Sequence, residues 1–169
     1  MTHASREALR DTLTPDPGAV AVTGDLLGAA DEVPPGGLRD LVQGHVATAT
    51  TFTDAELAAV AVTVTSGPRR DEVWAWLDRA RAARAVALWS DAVRRLPDSH
   101  VAAPAAVLAF AAWLSGNGAL AWCAVDRSRD AEPGHSLANL VAGLLESATS
   151  PATWETLGPQ LEGATDPAA

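Results

Sequence analysis

The chain has 169 residues, 48% of them apolar and 20% charged, so one globular domain with a sizeable core is expected. Its formal net charge is −9. Binding DNA or RNA requires clustered basic residues that neutralise phosphates, so this balance argues against a nucleic-acid partner.

The first predicted element is a short helix over residues 5–13, with Ala8, Leu9 and Leu13 as its apolar stripe. Prolines at positions 15 and 17 are expected to end this helix. Farther along, residues 20–22 are typical of a short extended piece, and residues 26–30 of a helical turn.

The strongest break in the chain is the Pro-Pro-Gly-Gly run that ends at residue 37. We therefore predict that residues 1–37 form a partly irregular N-terminal arm that packs on a helical domain of residues 38–162. A helix over residues 38–49 opens that domain, because its apolar residues have helical spacing. Residues 163–169 show no pattern and are expected to be a frayed tail.

The next segment begins with a helix-start signal, in which Thr53 is followed three residues later by Glu56. This spacing is the capping box. Residues 55–64 are rich in Val and Thr, so a strand is also possible there. The capping box favours the helix.

Residues 70–96 continue the helical spacing for longer than one helix of a globular domain usually runs. We predict a break near residues 79–83 that produces an antiparallel pair, and Pro97 as the end of its second helix. The basic runs at 79–84 and 94–95 are interleaved with Ala and flanked by Asp, which indicates a solvated helix face.

Residues 103–115 are apolar almost all round, which predicts a helix at the centre of the core. After a Gly-Asn-Gly turn, residues 119–131 form an amphipathic pattern. Ser136 is the predicted cap of a third helix, and Ser150 of a last short helix anchored by Trp154 and Leu157. The positions of the amphipathic helix expected to face inward are Leu120, Ala121, Ala124, Val125 and Ser128. The predicted fold class is all-α, built from antiparallel helix pairs.

Small residues recur in the two central helix pairs with an offset of 36 residues. The sets are Ala80, Ala85 and Ala92 before Pro97, and Gly116, Ala121 and Ser128 before Pro133. Small side chains let two helices cross closely, and the pattern looks tetratricopeptide-like. An Ala-rich helical bundle would also place small residues at its crossings. Two units match, whereas a solenoid needs about three.

The segment over residues 108–145 contains Gly-Asn-Gly-Ala-Leu-Ala and Pro-Gly-His-Ser-Leu-Ala stretches. With the Arg70-Asp71 pair, it resembles the C-terminal part of the actinobacterial "domain of unknown function 4192" family over roughly residues 53–155. The resemblance implies relatives with a further N-terminal part. It supplies no catalytic residue, because the family has no assigned activity.

The residues able to do chemistry are scattered along the sequence. The four histidines lie on separate elements, without a metal-binding motif, and the lone Cys123 is predicted to be a buried inert thiol. His135 is expected to be a neighbour of a helix cap or a surface residue rather than a base. No catalytic residue, metal ligand or cofactor is therefore predicted.

Trp74 and Trp76 are the most informative of the six tryptophans. On the predicted helix they would point about 200° apart, so both could not face one core. One is expected to pack against a neighbouring element such as the N-terminal arm, or to stay partly exposed as a binding surface. With Arg70 and Asp71 beside them, these residues form the candidate binding site.

Two classes of function are compatible with this sequence. The favoured hypothesis is a cytoplasmic module that binds a protein or peptide, without a membrane partner and with a homodimer as an option. Enzymatic activity is uncertain and less favoured. The alternative is an accessory or partial enzyme domain whose site needs a missing N-terminal part or a dimer. Convergence of Arg70, Asp71 and His135 in a closed pocket would favour the enzyme, and an open groove with an exposed Trp would favour the module.

Overall fold

The computed structural model describes the backbone of residues 3–155 and the side chains from Arg6 onward. This part of the chain is all-α, as predicted, and contains no strand. The helices are α1 (His3–Asp11), α2 (Pro17–Leu27), α3 (Gly37–Thr48), α4 (Asp54–Thr63), α5 (Gly67–Asp71), α6 (Arg79–Arg95), α7 (Ala102–Leu114), α8 (Gly118–Ala131) and α9 (Ser136–Glu146). Residues 152–155 are also helical. Within residues 3–155, no helix is long and apolar enough to span a bilayer.

The capping box at the start of α4 is confirmed. The Thr53 hydroxyl accepts a hydrogen bond from the Glu56 N–H at 3.2 Å, and the Glu56 carboxylate accepts one from the Thr53 N–H at 2.8 Å. Two backbone donors that the first helical turn leaves without partners are thereby satisfied. The strand alternative for this segment is wrong.

The prediction of a short extended piece over residues 20–22 is wrong, because these residues lie in the middle of α2. The Asp16 carboxylate caps this helix by accepting hydrogen bonds from the N–H groups of Gly18 and Ala19, at 3.0 and 3.1 Å. Pro17 occupies the first helical position, where its fixed φ favours the helix and its missing N–H costs nothing. Pro17 therefore marks the start of α2, in addition to lying after the end of α1.

The break in the long helical pattern comes earlier than predicted. Helix α5 ends at Asp71, turns follow, and Asp78 caps α6 by accepting a hydrogen bond from the Arg81 N–H at 2.9 Å. The predicted break over residues 79–83 is therefore wrong, since those residues are the first turn of α6. The turns over residues 72–77 contain both tryptophans of the candidate site.

Helix α7 is the centre of the fold, as predicted. Every residue of this helix after Ala102 is buried, and it packs against α6, α8 and α9. The five inward positions predicted for α8 are all buried. One of them, Ser128, donates a hydrogen bond from its hydroxyl to the Ala102 carbonyl oxygen at 2.7 Å, which ties α8 to the start of α7.

An aromatic cluster surrounds Phe110 of α7. The ring centroids of Trp74 and Trp154 lie 4.8 and 4.9 Å from that of Phe110, and the Trp113 centroid lies 5.7 Å away. Trp154 also donates its indole N–H to the Leu77 carbonyl oxygen at 2.8 Å. The predicted anchoring role of Trp154 is confirmed, whereas its companion Leu157 lies outside the described residues.

Of the six small residues in the proposed repeat, Ala80 and Gly116 are exposed. Ala85, Ala92, Ala121 and Ser128 are buried. The first unit, however, lacks a long first helix, because α5 has only 5 residues. The tetratricopeptide-like relationship therefore stays a prediction, and so do the domain boundaries at residues 37 and 162. The predicted frayed tail lies outside the described residues.

Candidate functional site

The structure brings three of the four candidate site residues into one hydrogen-bonded group. One oxygen of the Asp71 carboxylate accepts hydrogen bonds from Arg70 Nε at 3.1 Å, from Arg70 Nη2 at 2.8 Å and from the Trp74 indole N–H at 2.9 Å. The fourth residue, Trp76, is directed elsewhere, into a groove between α3 and α6. The predicted site is thus divided between two places.

Both tryptophans are buried, with 9% of Trp74 and 8% of Trp76 exposed. The expectation that they cannot both pack inward is wrong, because it assumed a helix where the structure has turns. The Trp74 ring joins the aromatic cluster around Phe110. Trp76 lines a groove together with Val46 and Ala80.

Arg70 also lines a small cavity at the start of α9, which we call the α9 pocket. Its volume is about 120 Å³. Arg70 Nη1 donates a hydrogen bond to the Ser136 hydroxyl at 3.1 Å across this pocket. Asp71 is not among the residues that line the pocket. Arg70 and His135 therefore meet there, but the hypothetical convergence of Arg70, Asp71 and His135 is only partly realised. The pocket is lined by Thr65, Arg70, Ser99, His100, Ala102, Ala103, Glu132, His135 and Ser136.

His135, and not Ser136 as predicted, is the N-cap of α9. Its Nδ1 accepts a hydrogen bond from the Ala138 N–H at 3.4 Å, and only 5% of the residue is exposed. Burial lowers the pKa of His135, the nearby charge of Arg70 lowers it further, and Glu132 opposes both. The imidazole is therefore neutral near pH 7. The alternative of a surface residue is wrong, and the association with the cap is confirmed.

Protonation of His135 should make the protein less stable in mildly acidic solution. A folded-state pKa below the unfolded value of about 6.5 means that the unfolded chain binds more protons in this range. The stabilising contribution of the neutral His135 imidazole is therefore complete above about pH 6.5. It is lost as the pH falls from there toward the folded-state pKa. We expect His135→Asn, which keeps a capping side chain, to flatten the free energy of unfolding between about pH 5 and 7.

The measurement is urea unfolding at a series of pH values. Glu56 provides the internal comparison, because a backbone hydrogen bond from Thr53 lowers its pKa and its contribution is lost only at more acidic pH. The slope below about pH 4.3 should therefore be the same in His135→Asn and wild type. An unchanged slope above pH 5 in the variant would contradict the assignment to His135.

The second place is the groove that contains Trp76, which we call the arginine groove. Its volume is about 540 Å³. Arg84 Nη1 donates a hydrogen bond to the Ala47 carbonyl oxygen at 3.1 Å, which connects the two helices, and Arg81 forms an ion pair with Asp78. The groove is lined by Arg39, Gln43, Val46 and Ala47 from α3, by Trp76, and by Ala80, Arg81 and Arg84 from α6.

The arginine groove was not predicted as a site, although one signal for it exists. Arg81 and Arg84 are three residues apart, so they share a helix face, and they are exposed as the sequence indicated. Only the fold reveals that this face lies opposite Arg39 on α3. The Trp76 indole nitrogen is buried beneath it without a hydrogen-bond partner.

Cys123 is 3% exposed, which confirms the predicted buried thiol. Burial raises the pKa of Cys123, so the reactive thiolate is disfavoured. Among the described residues, no group of three or more His, Cys, Asp or Glu is placed to hold a metal ion.

The comparisons with known proteins extend the resemblance seen in the sequence. No curated protein and no solved structure matches the chain. A family model does match, over residues 1–152, and its description is "Domain of unknown function (DUF4192)". The match therefore includes the first 52 residues, which the sequence resemblance left out. The chain belongs to the DUF4192 family.

Proposed function

We propose that this protein is an interaction module that binds an acidic peptide segment of a partner protein in the arginine groove. The observation that carries the proposal is the charge of the groove. Three arginines and no carboxylate line it, in a chain whose net charge is −9. Guanidinium groups recognise carboxylates by short, charge-assisted and often paired hydrogen bonds.

The shape of the groove defines the peptide further. Val46 and Trp76 are buried and form an apolar floor, while Arg39 on one side and Arg81 and Arg84 on the other form charged walls. Tryptophan and arginine are the residues that most often dominate binding energy at interfaces. A volume of about 540 Å³ accommodates a few side chains. We therefore expect a short segment in which Asp or Glu alternates with an apolar residue.

The negative net charge of the chain supports the arginine groove as the binding site for an acidic ligand. A net charge of −9 repels an acidic ligand at long range, so such a ligand gains affinity only where arginines are concentrated. For the same reason a nucleic acid, whose many phosphates extend beyond the groove, is a poorer ligand than a short acidic peptide.

The test is calorimetric titration with a short synthetic peptide that alternates Glu with Leu. We expect the double variant Arg81→Ala/Arg84→Ala to weaken binding about tenfold or more, because each charge-assisted hydrogen bond contributes about 1.5–3 kcal/mol. The matched control is Arg6→Ala/Arg129→Ala, which removes the same charge from α1 and α8. A peptide in which Gln replaces Glu should bind weakly.

Three results would contradict the proposal. Equal affinity of the groove variant and the wild type would show that the peptide binds elsewhere. Tighter binding of a short DNA duplex than of the peptide would favour a nucleic-acid ligand. Formation of a dimer that the groove variant abolishes would mean that a second copy of the chain occupies the groove.

We also propose a cytoplasmic setting in an actinobacterium and a helical-repeat relationship for the α6–α8 region. The single cysteine, which cannot form an internal disulfide, supports the reducing compartment. The shared 36-residue offset supports the repeat. The second candidate function, an accessory or partial enzyme domain, is favoured by the meeting of Arg70 and His135 in the α9 pocket.

A further inference from the structure

We propose that the chain provides its own competitor for the arginine groove, a segment of residues 156–166 that binds there until an acidic partner peptide displaces it. We call it the acidic segment, because it contains Glu162 and Asp166 and no Lys, Arg or His. It follows directly on the described part of the chain, which ends at residue 155. The inference rests on the function proposed for the groove and adds its regulation.

The described part of the chain ends near the groove. Trp154 donates its indole N–H to the Leu77 carbonyl oxygen at 2.8 Å, and its ring belongs to the aromatic cluster around Phe110. Leu77 directly follows Trp76, which lines the groove. The next residue, Asp78, caps the helix α6 that supplies one wall of the groove. The acidic segment therefore starts close to the groove, two residues after an anchor that the core holds in place.

The acidic segment is long enough to cross the groove. Glu162 is eight residues beyond Trp154, a distance of up to about 26 Å for an extended chain. Arg84 is six residues beyond the cap of α6, which is about 9 Å along the helix axis. Glu162 can therefore reach either arginine of the α6 wall.

The chemistry of the acidic segment matches that of the groove. Leu161 next to Glu162 is the pairing of an apolar and an acidic side chain that the apolar floor and the charged walls are expected to bind. Within residues 3–155 the side chains of Arg81 and Arg84 each donate through Nη1, and a guanidinium has five N–H donors. Donors therefore remain for a carboxylate, and 56% of the Arg81 side chain is exposed to receive one.

Connection within one chain gives the acidic segment an advantage over a separate peptide. A short linker holds a tethered ligand at an effective concentration on the order of 1 mM. A segment with a Kd of about 0.1–1 mM would then occupy the groove for half of the time or more. A separate peptide would bind about two- to tenfold more weakly than to an empty groove, because only the unoccupied fraction is available to it.

The first test is NMR spectroscopy of the full chain, with the Trp76 indole N–H signal as the reporter of the groove. We expect Glu162→Gln/Asp166→Asn to shift this signal, because the substitutions remove the carboxylates that hold the acidic segment in the groove. The matched control is Glu7→Gln/Glu146→Gln, which removes the same charge from exposed positions on α1 and α9. This control should leave the Trp76 signal unchanged.

The reciprocal measurement follows the acidic segment itself. Arg81→Ala/Arg84→Ala should shift the backbone N–H signals of residues 160–166, because the segment loses its partners in the groove. The matched control is Arg6→Ala/Arg129→Ala, which should leave these signals where the wild type has them.

The second test is calorimetric titration with the peptide that alternates Glu with Leu. Glu162→Gln/Asp166→Asn should bind this peptide about two- to tenfold more tightly than the wild type does, because the internal competitor is weakened. Glu7→Gln/Glu146→Gln should bind it like the wild type.

Failure of this inference and failure of the proposed function give different results. An unmoved Trp76 signal, or equal measurable affinities of the wild type and Glu162→Gln/Asp166→Asn for the peptide, overturns the inference and leaves the proposed function intact. If neither protein binds the peptide, the proposed function is wrong, and the Trp76 signal still decides whether the acidic segment occupies the groove. Signals that change with protein concentration would mean that the segment of a second copy binds there, which contradicts a contact within one chain.

Discussion

Phe110→Ala should lower the free energy of unfolding by about 3–5 kcal/mol, the range for removing a buried aromatic ring. The ring is fully buried in the central helix α7. It contacts the rings of Trp74, Trp113 and Trp154, which belong to three different elements. The cavity left by the ring cannot close easily, because α6, α8 and α9 also pack against α7.

Urea unfolding followed by circular dichroism measures this effect without relying on tryptophan fluorescence, which the substitution itself changes. Phe110→Leu should cost less than Phe110→Ala, because it retains more of the buried volume. Leu140→Ala is the matched control on α9, where the side chain is 49% exposed and a change within about 0.5 kcal/mol is expected. A loss below about 1 kcal/mol for Phe110→Ala would show that the aromatic cluster is not a packed part of the core.

The parts of the fold that sequence predicted correctly are those fixed by local signals. The capping box at Thr53 and the apolar run of α7 each depend on residues within a few positions of one another. The inward face of α8 follows from the same 3.6-residue period that buries Leu120, Val125 and Ser128. In these segments the tertiary structure agrees with the local preference.

The turns over residues 72–77 could not be predicted in this way, because tertiary contacts decide them. The apolar residues Val73, Trp74 and Leu77 have helical spacing, yet the Leu77 carbonyl accepts its hydrogen bond from the Trp154 indole instead of from a following helical turn. Trp74 likewise donates to Asp71. The residue that ends these turns, Asp78, is a good N-cap, and it is the local signal that could have placed the break correctly.

The candidate sites show the same division between local and tertiary information. The proximity of Arg70 to Asp71 and Trp74 is local and was predicted. The meeting of Arg70 with His135 was only a hypothesis from sequence, since the two residues are far apart in the chain. Ser136 is the better cap by intrinsic preference, but His135 takes that role where it is buried beside Arg70.

Arg95→Met should lower the free energy of unfolding by about 2–3 kcal/mol, as expected for hydrogen bonds to a largely buried charge. Only 14% of the Arg95 side chain is exposed, so the prediction of a solvated face is wrong for this residue. Nη1 donates to the Phe52 carbonyl oxygen at 2.9 Å and to Asp91 at 2.6 Å, and Nη2 donates to Asp54 at 2.7 Å. These bonds connect the end of α6 to the start of α4.

The charges around Arg95 explain why Arg95→Met should lower the free energy of unfolding by less than the full cost of breaking a buried ion pair. Burial alone would lower the pKa of Arg95, but the hydrogen bonds and charges of Asp91 and Asp54 raise it. Because 49% of the Asp54 side chain is exposed, water can replace part of what this carboxylate loses. Arg94→Met is the matched control, since Arg94 is exposed and, within residues 3–155, its side chain makes a single 3.4 Å hydrogen bond, to the Thr14 carbonyl oxygen. Equal stabilities of the two variants in urea unfolding would show that Arg95 does not hold α4 against α6, whereas a difference of about 2 kcal/mol would identify it as a polar link between these helices.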